Sequence, residues 1–414
     1  MAVRGAMHRA GAAAVGKLLS QTSELPRQTP CGCGGEARLH SRRRRRLVTA
    51  LGVVEFERPY YVCPQCHQGH SPRDRDLDVE DTGYSPAARR MMALVGSETS
   101  FEQGREQLHL LAGIEVTTKA VERQSESIGT DVESHEQSAI QAAKQLELPE
   151  VCAPAVPMLY IEMDGTCVPV VKAETEGRRG KVEGQPAHTR EVKLGCVFTQ
   201  SGTDEEGRPV RDQDSTTYVG AIETAEEFGL RLYTEAWRRG WSRARKQVVL
   251  GDGAVWIWNL AHQHFPGAIQ VVDLFHARQH LWQLSPKLFP NDERAGKRWI
   301  ARCLRLLDQG KIEKLVEVLR EPKPSRQELA QALRHEADYF ERNADRMRYP
   351  QFHAQGLFVG SGVIEAGCKT VIAARLKRSG MFWTVRGANA VVALRCCRLS
   401  RRFEDYWESR QRTA

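Results

Sequence analysis

Three acidic residues, Asp164, Asp252 and Glu365, stand where apolar runs of the sequence break off or a new helical pattern begins. Asp164 closes the strand-like VPMLYIEMDG, and Asp252 sits between two glycines in QVVLGDGAVW. Both would therefore stand at the carboxyl ends of apolar strands, the edge of an open α/β sheet where ligands usually bind. Glu365 opens a helical stretch late in the chain. Three carboxylates at one point cannot all stay ionised cheaply, so together they imply divalent cations as counter-charge. Oxygen-only ligands suit Mg²⁺ or Mn²⁺, and two such ions about 3.5–4 Å apart can activate a nucleophile and stabilise a leaving oxygen in phosphoryl transfer. Each acid also has a plainer reading. Asp164 before Gly165 can be a turn residue, Asp252 can cap a helix beginning near Ala254, and Glu365 with Lys369 can be a surface i, i+4 pair.

A second group of residues suits a different metal. Cys31 and Cys33 (CGCGG) and Cys63 and Cys66 (VCPQCH) form two pairs flanking LVTALGVVEFERPYYV, which reads as a β-hairpin. Two knuckles held side by side by strands supply the four thiolates of a tetrahedral structural Zn²⁺, and a segment this small has too little core to fold unaided. His67 or His70 can replace one cysteine, although a bystander role suits each better. Between the pairs, Arg42, Arg43, Arg44, Arg45 and Arg46 are contiguous. Five adjacent guanidiniums repel one another, and a loop tip of that kind would be stabilised by phosphates of DNA or RNA; a solvated loop is the plainer alternative.

The elements that must position these residues fall into blocks. A helical segment (1–26) precedes the zinc ribbon (27–75). Residues 84–150 read as helices with a Gly-containing turn before Thr117-Thr118, either a helix-turn-helix or a plain helical region. Pro154 and Pro157 mark a boundary. Three strands, then helix, strand, helix, strand, argue for a mixed sheet with helices on its faces over 155–275 and 351–400. Residues 276–350 are helical throughout and read as an all-α insertion, and 401–414 as a C-terminal tail.

Composition agrees with a globular protein in a reducing compartment. Of 414 residues, 41% are hydrophobic and 27% charged, and the 11 cysteines are odd in number and scattered after the first four. A net charge of +8, concentrated in arginine clusters, suits a polyanionic partner. No stretch approaches the roughly 18 apolar residues that span a bilayer. The opening MAVRGAMHRAGAAAVGKLLS lacks the apolar centre and cleavage site of a leader, so a cytosolic protein is expected. No Gly-rich Lys-Ser/Thr phosphate loop occurs, so no nucleotide cofactor is expected.

The strings YIEMDGTCV, VLGDGAVWIWNLA, VVDLFHARQHLW and GSGVIEAGCKTVIAARLKRSGMFW, in this order, resemble the motifs of DDE-type transposases of bacterial insertion sequences, the ISKra type first and Mutator-like elements more distantly. The likeness covers roughly 155–400, and the knuckles and helices before it are similar to that family's amino-terminal region. It implies a ribonuclease H-like catalytic core with an all-α insertion, preceded by a zinc ribbon and a helix-turn-helix-like region. It also implies a metal-binding triad on Asp164, Asp252 and Glu365, cleavage and strand transfer on double-stranded DNA, and a nucleoid-associated protein.

Asp273-Leu274-Phe275-His276 is similar to the DxxH motif of related enzymes, so His276 would act near the scissile phosphate as donor or proton shuttle, or else as a capping or core histidine. In this setting Gly251 and Gly253 would leave Asp252 uncovered for metals and DNA. Lys369, Arg375, Lys377 and Arg378 would form a DNA-holding strip. Trp383 would stack on an unpaired base or sit in the core. Cys368, Cys396 and Cys397 read as small buried apolar residues. Joining two DNA ends at once implies a homo-oligomer on DNA. The rival readings are a metal-dependent nuclease or resolvase of the same fold, a zinc-ribbon regulator without catalysis, and an inactive relic.

Overall fold

A computed structural model of the chain describes residues 2–21, 25–145, 147, 155–179 and 187–413. The boundary expected at Pro154 lies outside them. Two compact units are present, residues 1–133 with 389–414, and residues 134–388. No described helix is long and apolar enough to cross a membrane.

The first unit begins with α1 (Ala2–Ser20), followed by β1 (Gln28–Pro30), β2 (Glu36–Thr49), β3 (Gly52–Val62) and β4 (Gly69–His70). These strands form a sheet in the order β1-β2-β3-β4, every pairing antiparallel. The hairpin is longer than the sequence suggests, and this corrects the reading of the arginine run. Arg42–Arg46 lie in the middle of β2, paired with Pro59–Glu55 of β3, and not at a loop tip. Strand alternation relieves their mutual repulsion by sending neighbours to opposite faces. Arg43 covers the Tyr60 ring at 3.6 Å. Arg45 donates to the carbonyls of Val79 (2.6 Å) and Thr82 (2.8 Å). Arg42, Arg44 and Arg46 are exposed, and Arg44 and Arg46 lie opposite Glu57 and Glu55.

After α2 (Pro72–Asp76) come α3 (Pro86–Glu98), α4 (Phe101–Gln107) and α5 (Thr118–Lys144). Ser85 and Ser100 cap α3 and α4 by accepting from Ala88 and Gln103 N–H groups. The turn before α5 is made at Gly113 (φ 67°), as its position before Thr117-Thr118 leads one to expect.

The second unit holds β5 (Met158–Pro169), β6 (Thr189–Gln200), the short pair β7 (Gly202–Thr203) and β8 (Pro209–Val210), β9 (Thr217–Ala221), α6 (Ala225–Arg238), β10 (Lys246–Gly251), α7 (Val255–His264) and β11 (Ile269–Val272). Five of these strands make a mixed sheet in the order β11-β10-β5-β6-β9. β5, β10 and β11 are mutually parallel, and β6 runs against both its neighbours. α6 covers one face, where Phe228 and Leu232 close over Gly195. The expected helical stretch follows as α8 (Leu274–Leu288), α9 (Glu293–Asp308), α10 (Ile312–Arg320), α11 (Gln327–Arg342) and α12 (Tyr349–Ala354). α13 (Gly362–Gly367) then lies on the sheet's other face, with Gly367 against Leu194 and Tyr218, and leads through a π-helical turn (Cys368–Ala373) into α14 (Ala374–Leu376).

The chain ends in α15 (Val385–Leu399) and α16 (Phe403–Thr413). Within the stretch read from sequence as a tail (401–414), three residues of α16 lie in the first unit's core. Phe403, Tyr406 and Trp407 are buried with Ala93, Ile128, Val132 and Leu394. The Tyr406 hydroxyl donates to Asp131 (2.5 Å), and Arg410 forks onto Asp78 (2.9 and 3.0 Å). α5 approaches so closely that a Cβ at Gly129 would lie 2.1 Å from the Ala390 carbonyl oxygen. Trp407→Ala should therefore cost about 3–5 kcal/mol, the usual range for emptying a buried tryptophan site. The loss should appear in urea denaturation and as faster hydrogen exchange in α3 and α5.

Candidate functional site

Register brings three acids to one level of the sheet. β10 pairs with β5 up to Leu250↔Glu162, and with β11 up to Gly251↔Val272. One further step along each strand aligns Asp252 with Asp273, and two steps from Leu250 align Asp252 with Asp164. Aligned residues of parallel strands share a face, and Glu162, two residues before Asp164, faces the same way. Asp164 does not end its strand as the sequence reading expects. β5 runs on to Pro169 against β6, and Asp164 stands two residues past its last pair with β10.

The environments of these acids differ. Asp164 is half-buried, and its Oδ1 accepts from Gly165 N–H (2.6 Å) while Cys368 Sγ lies 3.5 Å from Oδ2. Burial, helped by the charge of Asp252, raises its pKa above the ordinary aspartate value, against the Gly165 and Cys368 hydrogen bonds and the nearby His276. Asp252 Oδ1 accepts from Ala254 N–H (2.8 Å), so the turn role weighed from sequence is present. Its glycines serve packing more than openness, which corrects the expectation for them. A Cβ on Gly251 would meet Ile257 at 2.9 Å, and one on Gly253 (φ 97°) would meet the Tyr339 ring at 2.6 Å. The Tyr339 hydroxyl donates to the Asp252 carbonyl (2.9 Å).

Two further acids, neither singled out from sequence, fasten α13. Glu162 is fully buried, and its Oε2 accepts from Ile364 N–H (2.8 Å). Its Oε1 is buried without a hydrogen-bond partner. Burial pushes Glu162 up to about 8, so its carboxyl is neutral at pH 7. Asp273, 1% exposed, caps α8 by accepting from His276 N–H (2.7 Å), and accepts from both Ser361 N–H and Ser361 Oγ (2.5 Å each). Strand β5, helix α8 and the start of α13 are thereby tied together one turn from Glu365. A charged residue inside the apolar run YIEMDG was the available sequence signal for Glu162.

Glu365 is exposed and, with Asp273, Phe275 and Val359, lines a cavity of about 670 Å³. It acts electrostatically on both Glu162 and Cys368. Among the described residues only the four cysteines of the first unit bring three or more Cys, His, Asp or Glu ligand atoms within 4.8 Å of one another. Asp164, Asp252 and Glu365 share a neighbourhood and do not converge that tightly. Cys368, read from sequence as buried and apolar, is half-buried beside Asp164. Burial first and Asp164 second raise its thiol pKa, so it stays protonated. Cys396 and Cys397 are buried as expected.

The basic strip is divided. Lys369 and Lys377 are exposed and Arg378 half-buried; Lys377 Nζ donates to Thr166 Oγ1 (2.5 Å) on β5 just beyond Asp164. Arg375 departs from the expected DNA-holding strip, and Trp383 takes the core position weighed beside base stacking, because both are inside. Arg375 is 0% and Trp383 6% exposed, the guanidinium lies 4.9 Å from the ring, and the indole N–H donates to Leu376 O (3.1 Å). The π-helical turn breaks the regular 3.6-residue spacing that a continuous strip along one helix would need.

In the first unit the thiols of Cys31, Cys33, Cys63 and Cys66 all lie within 4.8 Å of one another. Cys31–Cys66 and Cys33–Cys63 are 3.6 and 3.7 Å apart. Tetrahedral Zn–S bonds of about 2.3 Å require sulfurs about 3.8 Å apart, so the set fits Zn²⁺. Backbone N–H groups of Cys66 and Gln65 bring the Cys63 thiol down to about 7, while burial and the neighbouring thiols push Cys66 up to about 12, as in a thiol group that lacks a cation. Neither His67 nor His70 joins the group; His67 is exposed and His70 stacks on Tyr61.

Residues 36–410 match a single protein family, described as the uncharacterised protein family UPF0236. The chain belongs to that family. No curated protein matches it. Among solved structures, the Drosophila P element transposase strand transfer complex is similar at 8% identity over 82% of this chain and 84% of that one. The TM-score of 0.26 is too low to assign a fold.

Two measurements follow. Elemental analysis should find one zinc per chain, lost in Cys63→Ser together with the hairpin's protection from hydrogen exchange. Glu162 binds its proton more tightly folded than unfolded, so its stabilising contribution is complete below the ordinary glutamate value of 4.5 and lost as pH rises through about 8. In magnesium-free buffer the wild type should lose stability over that range relative to Glu162→Gln, as followed by thermal denaturation.

Proposed function

We propose that the chain is a DDE-type DNA transposase that binds the terminal inverted repeats of its element, cleaves there and transfers the freed strand to target DNA. The observation that carries this reading is the alignment of Asp164 and Asp252 on adjacent parallel strands, with Asp252 disfavouring ionisation of Asp164. Further support comes from the strand order, three sequential antiparallel strands followed by two parallel ones on the far side of the first, which is the arrangement a ribonuclease H-like core requires. The four sequence motifs fall on β5, on the β10–α7 turn, on the β11–α8 junction and on the stretch from α13 to Trp383.

Asp164, Asp252 and Glu365 would hold Mg²⁺ or Mn²⁺, and their all-oxygen donor set fits such an ion; a raised pKa on Asp164 is the cost that a cation offsets. When bound, the ions would activate the attacking hydroxyl and stabilise the leaving oxygen. The chain's own groups do the rest. Glu162 and Asp273 hold the start of α13, and with it Glu365, against the strand ends. His276, on the first turn of α8, lies beside Asp164. Lys369, Lys377 and Arg378 supply cations for the DNA backbone, as do Arg42, Arg44 and Arg46 of the first unit. Structural zinc holds the hairpin that carries those arginines. On DNA the protein acts as a homo-oligomer in the nucleoid.

A duplex carrying the element's end, incubated with Mg²⁺ and target DNA, should yield both cleaved and joined products. Asp252→Asn should reduce both by on the order of 10²–10³-fold, the range for losing one group that stabilises transition-state charge. Cleavage without joining would mark a nuclease instead, and tight binding of the end with no product from the wild type would mark a non-catalytic regulator.

A further inference from the structure

Helix α11 comes back from the helical insertion to the strand ends. Its Glu336 Oε2 lies 2.8 Å from His280 Nδ1, and His280 Nε2 lies 3.2 Å from His276 Nε2. All three residues are partly buried. One turn further along α11, Tyr339 stacks on the His280 ring (4.3 Å, 16°) and donates its hydroxyl to the Asp252 carbonyl. The same tyrosine ring lies over Gly253.

The order of donors in this chain follows from chemistry. An ionised carboxylate only accepts, so the proton between Glu336 and His280 belongs to Nδ1 of the histidine. A neutral His280 then has its lone pair on Nε2. Two bare nitrogens 3.2 Å apart would repel, so the proton between the rings must sit on Nε2 of His276. The stacked tyrosine holds the His280 plane, and the i, i+4 spacing of the two histidines on α8 places both rings on one helix face.

We propose that Glu336 and His280 are positioning residues that fix His276 as its Nε2–H tautomer, leaving Nδ1 as a hydrogen-bond acceptor for a hydroxyl at the Asp164–Asp252 site. This rests on the reading of that site as catalytic. It narrows the part of His276, because in this tautomer it accepts at the site and donates only to His280. It also assigns the helical insertion a role at the strand ends, through Glu336, His280 and Tyr339. A transition metal between the two Nε2 atoms is the competing arrangement, but among the described residues no third ligand atom joins them within 4.8 Å.

The test is the ring ¹⁵N spectrum of the full chain labelled at histidine, recorded without DNA at pH 8, above the ordinary imidazole value of about 6.5. His276→Gln and His280→Gln identify the two signals. The wild type should show His280 protonated at Nδ1 and His276 at Nε2. Glu336→Ala should leave both rings as tautomer mixtures, and Glu336→Gln, whose amide oxygen still accepts, should restore the wild-type pattern. Histidines outside the insertion, unchanged in every variant, report that the fold is intact. His276 protonated at Nδ1, tautomers unmoved by Glu336→Ala, or a second zinc per chain lost in His280→Gln would each overturn the proposal.

In the DNA assay, Glu336→Ala and His280→Gln should each lower kcat about 10–100-fold with KM for DNA unchanged, the usual effect of losing a group that orients a working residue. The double variant should be no slower than the worse single one. If the spectra hold while the wild type cuts no DNA, the transposase reading fails and the hydrogen-bonded chain stands. If the wild type cuts and the spectra do not hold, the chain fails alone.

Discussion

Everything around the sheet's carboxyl edge depends on the cost of placing carboxylates at one level in a poorly solvated site. Asp164 on β5 stands two residues past the last pair with β10, Asp252 and Asp273 directly follow the ends of the parallel strands β10 and β11, and Glu162 lies just below Asp164 on the same face. Each group meets that cost differently. Asp273 is saturated by N–H and O–H donors from α8 and Ser361. Glu162 holds its proton. Among the described residues, Asp164 and Asp252 accept only from their own turn amides and a thiol.

The solutions for the two structural acids also build the site. A carboxyl that accepts the N–H groups at the start of a helix fixes where the helix begins. Glu162 and Asp273 both do this for α13, from different elements, so the position of Glu365 is set from two sides. On the opposite flank, Tyr339 occupies the space that Gly253 leaves and takes up the Asp252 carbonyl. The helical insertion is therefore part of the wall around the second acid.

The first unit solves a different problem. Its sheet of short outer strands and one long hairpin has a small core, and the four thiols cluster where the strands β1 and β3 begin and end their knuckles. The arginine run is held along β2 by alternation, by Tyr60 and by backbone carbonyls of the segment 79–82. Its helices close around aromatic residues from the end of the chain, including Tyr406 and Trp407.

Much of this was legible in the sequence because it depends on local pattern. Cysteine spacing marked the four-thiol cluster, apolar runs marked β5, β10 and β11, and Gly-Asp-Gly marked a turn. Helical periodicity marked the stretch after His276. What the sequence could not show depends on residues far apart in the chain. Strand register alone decides that Asp273 joins Asp164 and Asp252. A fold-back of 56 residues alone brings Glu336 to His280, and burial alone puts Arg375 and Trp383 inside. Local periodicity assigns a face, but a π-helical turn shifts that face and a neighbouring element decides whether it meets solvent, so the chemistry of a charged residue is settled only by what packs against it.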